Sequence, residues 1–252
     1  MHLNPFVSVI INCHNSDKYL KEAIDSVFIQ TYQNWEIIFW DNNSSDSSAE
    51  IALNFGNRLK YFRSNSTIRL YAARNLAVEK AEGKYIAFLD SDDIWTAHHL
   101  ECLISKLDVD CKFVYGGYDI VNSKGGYVSE RLSYLPDGYI QNKLFRRNPI
   151  SIGCVLIEKE LLIDNLFDHF YDLLGDYDLW LRLANNNRFN VVPKVIEHSR
   201  QHSKNLSKTR KERFLIERRR LYRKHISIRN LLKNYWLIYY ILKTELLGIF
   251  KR

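Results

Sequence analysis

The chain has few of the residues that staple or clamp a fold. It holds four cysteines in 252 residues, Cys13, Cys102, Cys111 and Cys154, with no C-x-x-C pair. That excludes a disulfide framework and a thiolate zinc site, and reads as reduced thiols in a cytosolic protein. No run of 18 uncharged apolar residues occurs, so no segment is expected to span a bilayer. The opening Met1-His2-Leu3-Asn4-Pro5-Phe6 has no basic n-region, and no cleaved signal is expected. Glycine is scarce, and the turn after the first apolar run, Asn12-Cys13-His14-Asn15, contains none. The glycine-rich phosphate loop that a sugar-phosphate nucleotidyltransferase would use is therefore missing. Internal repeats and low-complexity linkers are also absent.

What is present is an ordinary globular composition, 46% hydrophobic and 26% charged, long enough for one large domain with or without an appendage. The net charge of +7 hides an asymmetry. Residues 200–252 carry 16 Lys/Arg against 3 Asp/Glu, whereas residues 1–199 carry 20 against 26. A mildly acidic body is joined to a basic tail.

The order of apolar runs and polar turns predicts an α/β fold. Val7 to Cys13, Trp35 to Trp40, Leu59 to Phe62 and Tyr85 to Leu89 read as buried strands. Helical periods separate them: one capped by Ser16, one ending before Gly56, and one from Tyr71 to Ala81. Strand and helix alternating in this way imply a mainly parallel sheet with right-handed crossovers. The turns at His14-Asn15, at Asp41-Asn42-Asn43 and at Asp90 to Asp93 then share one sheet edge, where open α/β sheets bind ligands. The second half is less regular. It reads as a helix over 98–107, a strand with a glycine bulge over 112–121, and a hairpin turn at Gly125-Gly126. A short strand follows at 154–157, then a polar loop becoming a helix over 175–184, and a strand over 189–195 closed by Pro193. Everything beyond Ser207 reads as helix.

The richest stretch is Asp90-Ser91-Asp92-Asp93. Three carboxylates at the end of a buried strand repel one another unless a cation sits among them. Hard oxygen ligands suit Mg²⁺ or Mn²⁺, above all when a substrate phosphate completes the shell. In isolation the same residues read equally well as a solvated acidic turn.

Four segments in register resemble the inverting glycosyltransferases of family 2, of the kind that builds bacterial surface polysaccharides. Val7 to Asn15 is similar to the family's opening strand, VSVIIPxYN. Ala23 to Tyr32, with Trp35 to Ile38, is similar to AIxSVLxQTYxNxEII. Ala73-Arg74-Asn75, with Gly83 to Asp93, is similar to its ARN and D-x-D segment. Gly175 to Leu183 is similar to ED-x-x-LWxRL. The resemblance runs from about residue 6 to about residue 207. It implies the GT-A fold: a catalytic domain over 1–207, with a nucleotide-binding half (1–95) and an acceptor-binding half (96–207), followed by a basic amphipathic helical tail (208–252). Where the family has Pro and Tyr in its first loop, this chain has Asn12 and His14. Its DDGS loop is Asp41-Asn42-Asn43-Ser44, and the Glu of its ED pair is Gly175.

The resemblance also implies a metal-dependent transfer of a hexosyl or N-acetylhexosaminyl group from a nucleotide-sugar, a UDP-sugar foremost, to a hydroxyl of a glycan or lipid-linked acceptor. Asp92 and Asp93 would hold Mn²⁺ or Mg²⁺, with His202 from a loop similar to the family's YRxH. Asn12, His14, Asn15, Asp41, Asn42, Arg74, Asp90 and Ser91 would line the nucleotide. Asp176 would be the catalytic base, taking the proton from the acceptor hydroxyl on the face opposite the leaving group. On its own, Asp176 reads as a helix cap. Tyr177 and Trp180 would contact the acceptor, whose side is built from the segment between about Tyr118 and Leu174. Arg182 reads as structural.

Residues 210–224 carry eight Lys/Arg and two Glu, and 231–250 are rich in Leu, Ile, Tyr and Trp, interrupted by Lys233, Lys243 and Glu245. The tail reads as a peripheral helix on the anionic cytoplasmic face of a membrane; the alternatives are packing on the catalytic domain or a homodimer contact. Nucleic acid is not expected as a partner, since the aromatics cluster with aliphatics rather than with the basic residues. The competing functions are a sugar-phosphate nucleotidyltransferase and a non-catalytic membrane-bound scaffold that retains the fold.

Overall fold

A computed structural model describes residues 4–203 and 205–225. Four parallel strands form its first half: β1 (Val7–Cys13), β2 (Trp35–Asp41), β3 (Leu59–Arg63) and β4 (Tyr85–Asp90). The helices α1 (Asp17–Phe28), α2 (Ser48–Leu53) and α3 (Leu70–Lys80) are the crossovers between them. β1 lies between β2 and β4 because its seven residues are all buried and so need partners on both edges. The expected cap at Ser16 takes another form. Its hydroxyl makes no cap bond to α1, and its backbone N–H donates to Ser48 Oγ at 3.1 Å.

After β4 come the short β5 (Ile94–Trp95), α4 (His99–Ile104), β6 (Phe113–Asn122), β7 (Tyr127–Arg131), α5 (Gln141–Arg146), a 3₁₀ turn at Ile152–Cys154, β8 (Val155–Glu158), α6 (Lys159–Ile163), α7 (Gly175–Leu183), β9 (Phe189–Gln201), α8 (Leu206–Thr209) and α9 (Lys211–His225). Among the described residues the sheet has nine strands, in the order β3-β2-β1-β4-β8-β6-β9-β5, with β7 beside β6. Alternating side chains fill two cores. Ile10, Ile38 and Phe88 meet α3 and α7 on one face; Val9, Ile11, Phe39 and Leu89 meet α1 and α4 on the other.

Three expectations change here. Pro193 does not close β9, which continues to Gln201. The register with β6 jumps from Gly116 opposite Val192 to Gly117 opposite Val195, so Pro193 and Lys194 sit in a bulge where no ladder N–H is required. The extra length carries β9 to the acidic turn, because β5 pairs Ile94 with His198 and Trp95 with Glu197. The boundary expected at 207 also falls inside the packed fold. Leu221 and Tyr222 of α9 belong to the core on the α3 side, and Glu217 is buried. Lastly, α7 begins at Gly175 itself, without a preceding polar loop inside that span. The apolar tail segment 231–250 lies outside the described residues.

Candidate active site

The carboxyl ends of β1, β2 and β4 open onto a cleft of about 700 Å³ that also takes in the start of α7 and the chain after β9. Eleven of the fourteen anticipated residues line it: Asn12, His14, Asn15 and Asn42 from the first two turns, Arg74 from α3, Asp90 to Asp93, Asp176 and His202. The first two turns are stapled together. His14 Nδ1 lies 2.9 Å from the Asn42 carbonyl, and Asn15, in a left-handed conformation at φ 52°, accepts the Ser45 N–H at 2.8 Å. Asn12 is buried, yet neither its amide oxygen nor its nitrogen has a partner among the described residues. A buried unsatisfied amide costs about 1–3 kcal/mol, so a group of this kind facing a cleft is poised for a ligand.

Three pairs of polar side chains organise the floor. Arg74 Nη2 meets Asp90 Oδ1 at 2.5 Å. Asp92 Oδ2 meets His202 Nε2 at 2.7 Å and accepts from Asn205 Nδ2 at 3.2 Å. The Tyr71 hydroxyl donates to Asp176 Oδ1 at 3.1 Å. Burial raises the Asp92 carboxyl and Asp90 repels it further, while His202 opposes both. Burial also raises Asp176, and the positive charge of Arg74 limits that rise. The Tyr71 phenol is pushed well up by burial and by Asp176, so it stays a donor. A carboxyl raised by burial, with a guanidinium nearby that favours its charged form, is a better proton acceptor than an ordinary surface carboxylate.

Asp41, Tyr177 and Trp180 do not line the cleft, and Asn42 and Asp93, which do, have their polar atoms engaged within the fold. Asp41 is fully buried behind the cleft, where it accepts from the Ser44 N–H, the Tyr61 hydroxyl and Arg63 at 2.7, 2.6 and 3.0 Å. It therefore shapes the turn and does not line the cleft. The Asn42 amide is engaged by Ile68 on both sides, at 3.0 Å from its N–H and 2.8 Å to its carbonyl, and by the Ser64 hydroxyl. It braces the loop over 64–68 instead of presenting its amide to a base. Asp93 is largely buried; its Oδ1 accepts the Arg200 N–H at 2.6 Å, and burial and Glu197 raise its pKa. Of the three residues expected to hold a metal, Asp92 and His202 meet each other beside the cleft, while Asp93 is engaged by the backbone of β9. Trp180 is fully buried with its ring edge on Phe113, and the Tyr177 hydroxyl donates to the Leu144 carbonyl at 2.6 Å. Neither lines the cleft, because α7 runs from it into the core and Trp180 lies about 6 Å further along the helix than Asp176.

Sequence reading missed Tyr71, Asn205 and Arg200. Tyr71 stands three residues before Arg74, so the two share a helix face, and that spacing was the available signal. Arg200 Nε donates to the Asp92 carbonyl at 3.0 Å, and its Nη2 pairs with Glu22 at 2.6 Å, which fixes the acidic turn to β9. Tyr71 also accounts for Gly175, the position where the family pattern has Glu. A Cβ there would lie 2.6–2.7 Å from Tyr71 ring carbons. Gly175→Ala is therefore expected to destabilise the fold by about 1–3 kcal/mol, as overpacking does, and to displace the Tyr71 ring from Asp176. Urea unfolding with parallel turnover assays checks this; a variant matching wild type in both would show that Tyr71 yields freely.

Residues 8–165 match the model of glycosyl transferase family 2. The chain belongs to that family. It is a glycosyltransferase, which sets the nucleotidyltransferase reading aside. It is 35% identical over 191 residues, 74% of this chain and 72% of the other, to the Escherichia coli UDP-Glc:alpha-D-GlcNAc-diphosphoundecaprenol beta-1,3-glucosyltransferase WfgD. It is 30% identical to the putative teichuronic acid biosynthesis glycosyltransferase TuaG of Bacillus subtilis, over 62% of this chain and 63% of that protein. Other relatives are far longer: the chain spans 32% of the uncharacterized glycosyltransferase RC0461 of Rickettsia conorii. The S. aureus TarS 1–349 structure in complex with UDP-GlcNAc superposes with a TM-score of 0.71 at 21% identity, over 86% of this chain and 65% of that one. That likeness establishes the GT-A-like α/β fold.

Proposed function

We propose that this glycosyltransferase moves a sugar from a UDP-sugar, with inversion, to a hydroxyl of a lipid-diphosphate-linked sugar during surface-polysaccharide assembly. The observation that carries the reading is Asp176, a raised carboxylate held by Tyr71 in the cleft that also contains Arg74, Asp90, Asp92 and His202. The base takes the acceptor proton, and the positive charge of Arg74 favours its charged form beforehand. The unpartnered Asn12 amide supplies a donor and an acceptor for the nucleotide. The relative that uses UDP-Glc and a GlcNAc-diphosphoundecaprenol acceptor supports the choice of donor base and acceptor class.

The donor set also fits a divalent cation, although no three His, Cys, Asp or Glu cluster among the described residues. Asp92 and His202 offer one carboxylate and one imidazole beside the cleft, and burial and Asp90 leave Asp92 short of positive charge. Mn²⁺ or Mg²⁺ with few protein ligands takes substrate oxygens and water for the rest of its shell. Such an ion would supply charge neutralisation for the departing diphosphate. Asp92 and His202 would hold it, while Arg200 and Asn205 keep the turn in place.

Peripheral attachment to a membrane belongs to the same reading. No helix among the described residues is long and apolar enough to cross a bilayer. The outer face of α9 carries exposed Leu215 and Ile216 among basic residues, a pattern suited to an anionic lipid surface. The test is a panel of α-linked UDP-sugars with Mn²⁺ and a GlcNAc-diphosphate lipid acceptor, with the product read by NMR. A β-linked product is expected. An α-linked one would rule out inversion, and no transfer from any UDP-sugar would rule out the donor class.

A further inference from the structure

A second cavity, of about 170 Å³, lies in the acceptor half, lined by Tyr118 of β6, Arg131 at the end of β7, Ser133, Tyr134, Arg147, Asn148 and Pro149. Its lining holds two guanidinium groups and no carboxylate. Neither Arg131 nor Arg147 has a carboxylate within ion-pairing distance among the described residues, unlike the arginines that brace the fold elsewhere, Arg63, Arg74 and Arg182. Arg131 Nη1 donates only to the Ser129 hydroxyl and the Glu130 carbonyl, at 3.3 and 3.1 Å. The Arg147 guanidinium stands 5.9 Å from the Tyr134 ring centre. Burial raises the Tyr118 phenol, with Glu197 and Cys154 adding to it. Arg131 and Arg147 both pull it the other way, so both cations lie close to that hydroxyl.

Two guanidiniums without carboxylate partners, ringed by phenol, hydroxyl and amide groups, make an anion site rather than a sugar site. The volume admits a phosphate or diphosphate and little more. The cavity is also close to the catalytic cleft. Pro149 lines the cavity and Ile152 lines the cleft. Two residues, Ile150 and Ser151, separate them, three Cα–Cα steps with a reach of at most about 11 Å.

We propose that this cavity is the subsite for the diphosphate of the acceptor, held by Arg131 and Arg147 while the sugar it carries reaches toward Asp176. The identity of the ligand rests on the acceptor reading above; the anion site itself does not. Anchoring the diphosphate off the reaction centre gives the enzyme a way to choose a lipid-diphosphate sugar over the same sugar free in solution. It also keeps the acceptor's charges apart from those of the donor diphosphate, which the Asp92–His202 end of the cleft would receive.

The test measures inorganic pyrophosphate binding to the full-length protein by calorimetry in chelator, in wild type and in the double variant Arg131→Gln/Arg147→Gln. UDP binding with Mn²⁺ is titrated separately. The expected result is at least a tenfold loss of pyrophosphate affinity in the double variant, an intermediate loss in Arg131→Lys/Arg147→Lys, and an unchanged UDP affinity. Equal pyrophosphate affinity in the wild type and the double variant would overturn the proposal. If the double variant melts early, Arg147→Gln alone, at an exposed position, carries the test, with at least a threefold loss expected and no loss overturning it. A protein that fails to bind UDP but shows arginine-dependent pyrophosphate binding would refute the donor reading and leave this site standing. The source of the anion is separated by kinetics: the double variant should raise KM for a sugar-diphosphate-lipid acceptor and leave sedimentation with phosphatidylglycerol vesicles unchanged. Lost vesicle binding with an unchanged KM would assign the site to a membrane headgroup and overturn its acceptor role.

Discussion

Asp176→Asn should lower kcat by about 10³–10⁴-fold while leaving UDP affinity within twofold, the range expected when a positioned general base is removed. The amide is close to isosteric and still accepts from the Tyr71 hydroxyl, which lies 3.1 Å from Asp176 Oδ1, so the start of α7 keeps its geometry. Burial disfavours the charged form of Asp176 and raises its pKa, with Arg74 as the largest opposing influence. The sign follows directly. Wild-type activity falls as pH drops through the raised pKa, because the base becomes protonated, and this acid limb lies above the ordinary carboxylate range near 3.9. The Asn variant should lack that limb. A carboxylate whose folded pKa exceeds its unfolded one also opposes folding above that pKa. Asp176→Asn should therefore be at least as stable as wild type at neutral pH, which separates lost chemistry from lost fold. Turnover within tenfold of wild type would remove Asp176 from the mechanism.

The residues that show this arrangement were unequally readable beforehand. The four parallel strands and their turns follow from β-branched runs separated by helical periods, since each run is buried on both faces and must therefore be continuous in sequence. The cleft's position at their carboxyl ends follows from the same topology. What pattern alone cannot provide is orientation across long separations. Asp92 and Asp93 are neighbours, but one meets His202, 110 residues on, and the other meets the Arg200 N–H, 107 residues on. Which faces the cleft depends on a two-residue strand, β5, too short to carry a period. Pro193 misled because a proline ends most strands; here the bulge opposite Gly116 and Gly117 accepts it. Trp180 misled because an aromatic near a base candidate resembles a sugar platform, whereas the direction of α7 buries it.

The basic tail poses the same problem in energetic form, and Asp178 tests it. Its side chain is fully buried and takes Arg182 Nε at 2.9 Å, Lys224 at 2.9 Å and His225 Nε2 at 2.8 Å. Burial alone would raise this carboxyl; His225, Lys224 and Arg182 together bring it down to about 2. Glu217, two turns earlier on the same face of α9, accepts the N–H groups of Asp172, Leu173 and Leu174 at 2.8, 2.9 and 3.1 Å, so the helix also grips the chain just before Asp176. Asp178→Ala removes the buried acid on which Arg182, Lys224 and His225 converge, leaving Lys224 only Asp168, and breaking a buried pair of this kind costs about 3–5 kcal/mol. Lys224 and Arg182 are partly exposed and recover some hydration, so the expected loss in urea unfolding at pH 7 is shifted down from that range, to about 2–4 kcal/mol. The folded pKa lies below the unfolded one, so the stabilisation is full above about pH 4–5 and drains away as pH falls toward 2. The gap between variant and wild type should accordingly narrow at pH 3. Hydrogen exchange across 211–225 should quicken in the variant at neutral pH, ahead of the strands. An unchanged midpoint with slow exchange would mean that α9 is held by Leu221 and Tyr222 alone. Within the described residues, α9 bound through Asp178 and Glu217 has its inner face committed to the catalytic domain, which leaves its outer face, with Leu215 and Ile216, for a lipid surface.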